Sequence, residues 1–383
     1  MSQWPMVKLG EVLAQDDTVV RIDDPSVETF LTVKLHGGGV VRRVIGDGKT
    51  PRMSSGYRVK AGQFIFSRID ARNGAFGIVP AYLNGAVVSK DFPVFSVDED
   101  RVDPEYLYFY SVSGLLENAV KVLSSGTTNR QRVKEAALLN LALPLPPIGE
   151  QRRIAKVLSL SRRAVSRVES VLENLDSALL HMVRSVSSGS TDLLSLGDLV
   201  SIQGGLTPSR DNDEFWGGSV RWFSSKDLKQ DFLSDSTEHV TESALERTSL
   251  KASSEPGVAI SLRGMSLAHT VPMGIIPAGS CINQDLKLLT PKNGIPVEVL
   301  FYLIKTKTSE LLARVSSSAH GTKKLDLRHL RGLEIPVLAD GDIGEVQRRI
   351  AAFRSLIQIN REKLERTSEL QQSLTARAFS GQQ

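Results

Sequence analysis

Leu143-Pro144-Leu145-Pro146-Pro147-Ile148-Gly149-Glu150-Gln151-Arg152-Arg153-Ile154-Ala155 closes one segment of the chain and opens another. It returns as Ile335-Pro336-Val337, a spacer, and Ile343-Gly344-Glu345-Val346-Gln347-Arg348-Arg349-Ile350-Ala351. Each copy ends a stretch of β-like and loop character and begins a long helical one. The copies lie about 195 residues apart, far beyond a solenoid period. Other pairs keep roughly that spacing: Leu9-Gly10-Glu11-Val12 with Leu196-Gly197-Asp198-Leu199, Gly62 and Arg68 with Gly257 and Arg263, Val88-Ser89-Lys90-Asp91-Phe92 with Ile282-Asn283-Gln284-Asp285-Leu286, and Gly126-Thr127 with Gly321-Thr322. A unit of sheet-rich head plus long helix is duplicated, and the copies share a scaffold while diverging between the anchors.

The repeat divides the chain into a first head, 1–147, a long helix with its linker, 148–190, a second head, 191–338, and a closing helix, 339–383. Short β-branched and aromatic runs bounded by Gly and Pro predict strands at Phe64-Ile65-Phe66, Gly77-Ile78-Val79, Phe92-Pro93-Val94-Phe95 and Val258-Ala259-Ile260-Ser261-Leu262. Helices are expected from Glu105 to about Leu123 and after Pro296, and Ser187-Ser188-Gly189-Ser190-Thr191 has linker composition.

The first long helix carries the strongest periodicity. Leu158, Val165, Leu172, Leu179 and Val186 fall seven apart, and Ile154, Ser161, Val168, Leu175 and Met182 form a second series four residues earlier, together the seam of a coiled coil. The closing helix has a stripe of Ile350, Phe353, Ile357, Asn360, Leu364, Thr367, Gln371, Leu374 and Ala378. The simplest closure packs the two helices antiparallel about an intramolecular pseudo-twofold, with Asn360 and Gln371 helping to fix the register. The alternatives are that each helix packs on its own head or pairs between chains. A helix of ~38 residues would be ~57 Å long, a spacer bar. The expected fold class is therefore α+β: two similar mixed α/β domains separated by two long antiparallel helices forming a coiled coil.

Composition excludes more than it assigns. With 383 residues, 41% hydrophobic and 23% charged, the chain has an ordinary soluble composition, and it holds no run of 18 apolar residues. Met1-Ser2-Gln3-Trp4-Pro5 lacks the pattern of a signal peptide, so a cytoplasmic location is expected. The single cysteine, Cys281, permits no internal disulfide and reads as a buried strand residue. A net charge of +4 is modest, although the pI of about 9.1 is in the range of nucleic-acid-binding domains.

No catalytic constellation emerges. Gly46-Asp47-Gly48-Lys49-Thr50 resembles the end of a phosphate-binding loop, but Arg43 stands where such a loop needs glycine, so a basic surface turn is the better reading. Gly37-Gly38-Gly39 lacks dinucleotide-fingerprint spacing and reads as a mobile turn, while the six histidines are scattered, so no metal site is expected. The amino-methyltransferase motif is absent as well: Leu145 precedes Pro146-Pro147 and Ile148 follows.

Binding chemistry is better represented. Ser124-Ser125-Gly126-Thr127-Thr128-Asn129-Arg130-Gln131-Arg132 gathers hydroxyl, amide and guanidinium donors of the kind that contact phosphates and base edges. Ser316-Ser317-Ser318-Ala319-His320-Gly321-Thr322-Lys323-Lys324 occupies the equivalent place. The second head adds Gly204-Gly205-Leu206-Thr207-Pro208-Ser209-Arg210, Phe215-Trp216-Gly217-Gly218 and Arg221-Trp222-Phe223-Ser224-Ser225-Lys226-Asp227-Leu228. The candidate DNA contacts are Arg68, Arg72, Thr127, Thr128, Asn129, Arg130 and Arg132 in the first head. In the second they are Thr207, Ser209, Arg210, Lys226, Arg263, Thr322, Lys323 and Lys324. Solvated polar loops are the competing reading; Trp216 and Trp222 could simply be core, and Trp222 fits a core at least as well.

The order of these motifs, from the glycine-rich Thr-Pro-Ser turn through Phe-Trp-Gly-Gly, Trp-x-Ser-x-Lys-Asp-Leu, Asn-Gln-Asp and a Gly-Thr loop to Pro-Leu-Pro-Pro-x-x-Glu-Gln-x-x-Ile, resembles the DNA-specificity subunit of type I restriction-modification systems. The first head resembles another variety of the same domain through Ser67-Arg68-Ile69-Asp70-Ala71-Arg72-Asn73-Gly74-Ala75 and Val79-Pro80. The resemblance implies a non-catalytic subunit whose heads each read one half of a split target in double-stranded DNA. It implies that the helices dock two modification subunits, which carry S-adenosylmethionine and methylate adenine, with no cofactor on this chain. Restriction subunits, ATP-driven translocases and nucleases, are a further implied partner. Glu150, Gln151, Arg153, Glu345, Gln347 and Arg349 become the candidate docking residues. The second junction lacks Pro-Pro and carries Val346 inside the Glu-Gln pair, so the two docking sites need not be equal. An orphan DNA-binding protein and a coiled-coil scaffold with protein-binding heads stay open.

Overall fold

The computed structural model describes residues 4–46, 53–123, 132–190, 192–317 and 321–380. Most of the Gly46–Thr50 turn, Thr127, Thr128, Asn129, Arg130 and the 318–320 stretch lie outside them. The chain forms two units, Met1–Glu169 with Glu362–Gln383, and Ser170–Arg361. Each head thus shares its unit with a segment of both long helices.

The first unit is organised by a four-stranded antiparallel sheet in the order Leu13–Gln15, Val94–Val97, Phe64–Phe66, Phe76–Ile78. Alternation along the strands sorts its side chains onto two faces. Phe64, Phe66, Phe76 and Phe95 share one cluster, with neighbouring rings 6.0–6.5 Å apart, while Ile65 and Val94 enter another. Helix Pro104–Val112 buries Tyr106, Leu107, Phe109 and Tyr110 in the aromatic cluster. Asp103 caps this helix by accepting from the amides of Glu105 and Tyr106. The single helix expected up to Leu123 is broken at Gly114, whose φ of 84° is the left-handed conformation that ends helices, and a second helix spans Leu115–Leu123. The hydroxyls of Tyr106 and Tyr110 donate to the carbonyls of Pro144 and Ala142, tying the helix to strand Ala142–Pro144 and its partner Met6–Lys8. Gly37-Gly38-Gly39 is no free turn: the amides of His36 and Gly37 donate to the carbonyls of Asn73 and Gly74.

The second unit repeats this plan: sheet order Val200–Gly204, Leu286–Pro291, Gly257–Ser261, Met273–Ile276, ribbon Leu193–Ser195 with Glu334–Pro336, and helices Val297–Thr306 and Thr308–Ala313. Register corrects one sequence equivalence. Arg68 donates its amide to Asp91 and accepts from Val133, whereas Leu262, not Arg263, makes the matching bonds with Asp285 and Leu325. A shift of one residue would reverse every side chain, so the pairing is decisive. The heads diverge in their remaining sheets: Ser55–Arg58 pairs antiparallel with Val87–Val88, but Trp216–Phe223 pairs parallel with Cys281–Ile282.

The long helices span Ile148–Ser187 and Asp340–Ser380. Pro146-Pro147 sets the start of the first; the second lacks prolines there and begins three residues before Ile343. In the first unit Ile154, Ala155 and Leu158 share a cluster with Leu374, Ala378 and Phe379, and in the second Leu172, Leu175, Leu179 and Val183 share one with Val346, Ile350, Phe353 and Ile357. This is antiparallel pairing within each unit. Val168 is buried, and Val165 and Leu364 are half-buried on the same stripes. Asn360 donates within its own helix, to Leu356, so it makes no such pin across the seam.

At the junctions the repeats solve one problem in two ways. Gln151 is fully buried: its amide nitrogen donates to the carbonyls of Arg101 and Pro146, and its oxygen accepts from the amide of Asp103 at 2.9 Å. In the second unit the helix cap is Pro296, which has no N–H, and the fully buried residue is Val346, in one cluster with Ile295 and Val297. Val346, not Gln347, takes the place of Gln151.

Three outcomes are expected. Gln151→Leu leaves three backbone groups, one buried and two partly so, without their partner and should cost about 1–3 kcal/mol; Val346→Gln, with no N–H on Pro296 to engage, should also destabilise. Both are read as a lower urea midpoint. Leu172→Asp places a carboxylate in the seam and should cost roughly 2–4 kcal/mol. Melting identical to wild type would disprove that seam position.

Candidate nucleic-acid interface

In the second unit the glycine-rich turn is held by two tryptophans. The indole N–H of Trp222 donates to the carbonyl of Leu206 at 2.9 Å and that of Trp216 to Ser209 at 3.0 Å, and the two rings meet edge to face at 5.1 Å. Trp222 is core, 3% exposed, whereas Trp216 keeps one face for Arg210, whose guanidinium carbon stands 3.7 Å from the ring centroid. Gly205 is required because a Cβ there would lie 2.1 Å from the Ile282 carbonyl. Glu238, directly across the strand pair from Trp222, receives both terminal nitrogens of Arg210, with Nη2 to Oε2 at 3.0 Å. Arg210, seconded by Lys226, holds the Glu238 carboxyl below its usual range, so the pair is ionised at neutral pH.

The other candidates of this head follow along connected loops. Lys226 is exposed and has no ion pair among the described residues. Its loop is set by Asp227: burial opposes ionisation there, but hydrogen bonds from Thr237 and Ser224 outweigh it and keep the carboxyl below its ordinary range. Thr207 donates to Gln284, and the preceding Asn283 caps its own turn by accepting from the amides of Asp285 and Leu286. Asp285 is bonded to Leu262; next to it Arg263 bridges to Lys324, and Gly264 donates to Lys323. Lys323 donates to Ser317, Thr322 is half-buried, and Ser209 and Lys324 are exposed. Thr207, Arg210, Lys226, Arg263, Lys323 and Lys324 thus belong to one hydrogen-bonded run of loops. Glu238, Gln284 and Asp227 were not anticipated as its partners.

The first unit presents less. Arg68 is no free cation: its guanidinium is bonded to Glu135 and to the carbonyl of Lys90, with side chains 23% and 20% exposed. Its counterpart Leu262 is buried, and Leu327, the counterpart of Glu135, packs on the same cluster, so an ion pair is exchanged for an apolar one. Arg132 is exposed and paired with Asp91 at 3.1 Å, and Arg72 is half-buried in the 71–73 turn.

At the junctions, Gln151 has no surface left to offer a partner, contrary to expectation, because it is fully buried with both amide hydrogens and its oxygen engaged by backbone groups. Glu150 with Arg153, and Glu345 with Arg348 and Arg349, form short ion pairs, each holding its carboxyl below the ordinary range; Gln347 is exposed. Among the described residues no group of three His, Cys, Asp or Glu could hold a metal, and no helix is long and apolar enough to cross a membrane. Burial pushes the Cys281 thiol up to about 11.

Known proteins match this architecture. The "Type I restriction modification DNA specificity domain" family matches residues 1–166 and 192–371. The EcoR124I/EcoR124II type I restriction enzyme specificity subunit of Escherichia coli is 26% identical over 292 residues, 73% of this chain and 70% of that one. The MjaIX specificity subunit of Methanocaldococcus jannaschii is 27% identical over 178 residues, 45% of this chain and 39% of its own length. Among solved structures, a chain from work on complex assembly and conformational transition of the type I R-M system shares the fold with TM-score 0.57 and 19% identity, covering 99% of this chain and 98% of that one. The S subunit from M. genitalium gives 0.53 and 14%, covering 99% and 96%. With a family match in each of its two heads, the chain belongs to the type I restriction-modification DNA specificity family.

Proposed function

We propose that each head reads one half of a bipartite duplex target, and that the long helices dock two S-adenosylmethionine-dependent adenine modification subunits. As a specificity subunit the chain recognises DNA and carries no chemical step of its own. The observation that carries the two-half reading is the pair of heads itself: one sheet order and one closing ribbon in both, with different sheets and loops around them. Shared scaffold with divergent loops is the arrangement expected of two readers with different sequences to read. The exposed cations Lys226, Arg263 and Lys324 supply charge for the phosphate backbone. Restriction subunits as additional partners, and a cytoplasmic location, belong to the same reading.

Exchanging residues 1–147 for the head of a related subunit should change one half of the target and leave the other half and the spacing intact, read by sequencing methylated DNA. Alteration of both halves would refute independent heads. Lys226→Ala, at an exposed cation with no ion pair among the described residues, should weaken binding to all duplexes and lower the salt slope of log K by about one. Loss of preference at a single base pair with an unchanged slope would instead make Lys226 a base contact.

A further inference from the structure

Arginine in a DNA interface has two usual destinations, a phosphate or a guanine edge. Arg210 is set up for only one of them. Its Nη1 and Nη2 both face Glu238, an end-on bidentate pairing. The carboxylate cancels the charge that would draw a phosphate and would itself repel one. One face of the guanidinium lies on Trp216, and the turn that carries Arg210 is fixed by the indole N–H groups of Trp216 and Trp222. What stays open is the side of the fork formed by Nε–H and the outer N–H of Nη2, which has no partner among the described residues on a side chain 51% exposed. Two parallel donors held in one plane match the O6 and N7 acceptors of guanine in the major groove.

We propose that Arg210 is a guanine reader of the second head, with Glu238 and Trp216 as the positioning residues that fix its orientation and turn it away from phosphate. This deepens the DNA-reading assignment and rests on it. Glu238 is the distinctive element, because a carboxylate on a DNA-facing strand otherwise opposes binding.

The test is selection from a pool of randomised duplexes by the full chain, at two salt concentrations. The wild type should select a G·C pair at a defined position in one half of its site. Arg210→Ala should abolish preference at that position alone, with about tenfold to a hundredfold loss of discrimination and little change in salt slope. Arg210→Lys should not restore it, because an ammonium cannot make the bidentate contact. Glu238→Gln should relax the same position, and Arg210→Ala/Glu238→Gln should be no worse than Arg210→Ala. Were Glu238 only a repulsive charge, Glu238→Gln would tighten binding to every duplex and leave base preference intact, overturning its positioning role. A uniform loss with Arg210→Ala and a slope lower by about one would make Arg210 a phosphate contact and overturn the proposal. Absence of any selected sequence with the wild type would overturn the DNA-reading assignment along with it.

Discussion

The apolar stripe shared by the two long helices is the constraint on which each unit depends. Ile154, Leu158, Leu374 and Phe379 complete the aromatic core of the first head, and Leu179, Val183, Val346 and Ile350 that of the second. A helix with such a stripe cannot remain solvated alone, because most of its stability comes from packing that face. Head and helix are consequently one hydrophobic object in each unit. The tyrosine hydroxyls bonded to Pro144 and Ala142, and the salt link from Lys305 to Asp231 at 2.6 Å, are polar ties laid over that packing.

Comparison of the two heads shows how buried polar groups change under duplication. Arg68 with Glu135 becomes Leu262 with Leu327, and Gln151 bonded to the amide of Asp103 becomes Val346 beside a cap, Pro296, that has no amide hydrogen. Either partner changed alone would leave a partly buried charge or a donor without its complement, a loss of about 1–3 kcal/mol for a hydrogen bond and more for a charge. Changed together, the groups pass from one satisfied arrangement to another. The scaffold therefore survives with little residue identity at these points.

Periodicity and repetition are local properties of a string, and what depended on them was legible. The duplication and the strands at Phe64 and Val258 are where their spacing puts them, within a residue, and Ile154, Leu158, Leu172, Leu175 and Leu179 pack with residues of the closing helix. Partners brought together by strand pairing were not. Nothing near Arg210 in the chain announces Glu238, 28 residues away, and nothing about Arg68 distinguishes an arginine for DNA from one for Glu135. Gln151 misled for a related reason: a polar residue on a helix start reads as surface until the head that covers it is in place. The tryptophans were ambiguous because both readings hold, Trp222 being core and its N–H a clamp for the turn.

The boundary between the units falls inside both long helices, at Glu169/Ser170 and Arg361/Glu362, so the second unit is one continuous stretch and the first is not. During synthesis the N-terminal head emerges first yet waits for Leu374, Ala378 and Phe379, which follow the whole of the second unit, before its core is covered. Vectorial folding is inverted: the half translated later can close earlier, and the earlier half carries a bare apolar face throughout elongation. Termination between Arg361 and Leu374 would leave the second half whole and the first permanently unsealed.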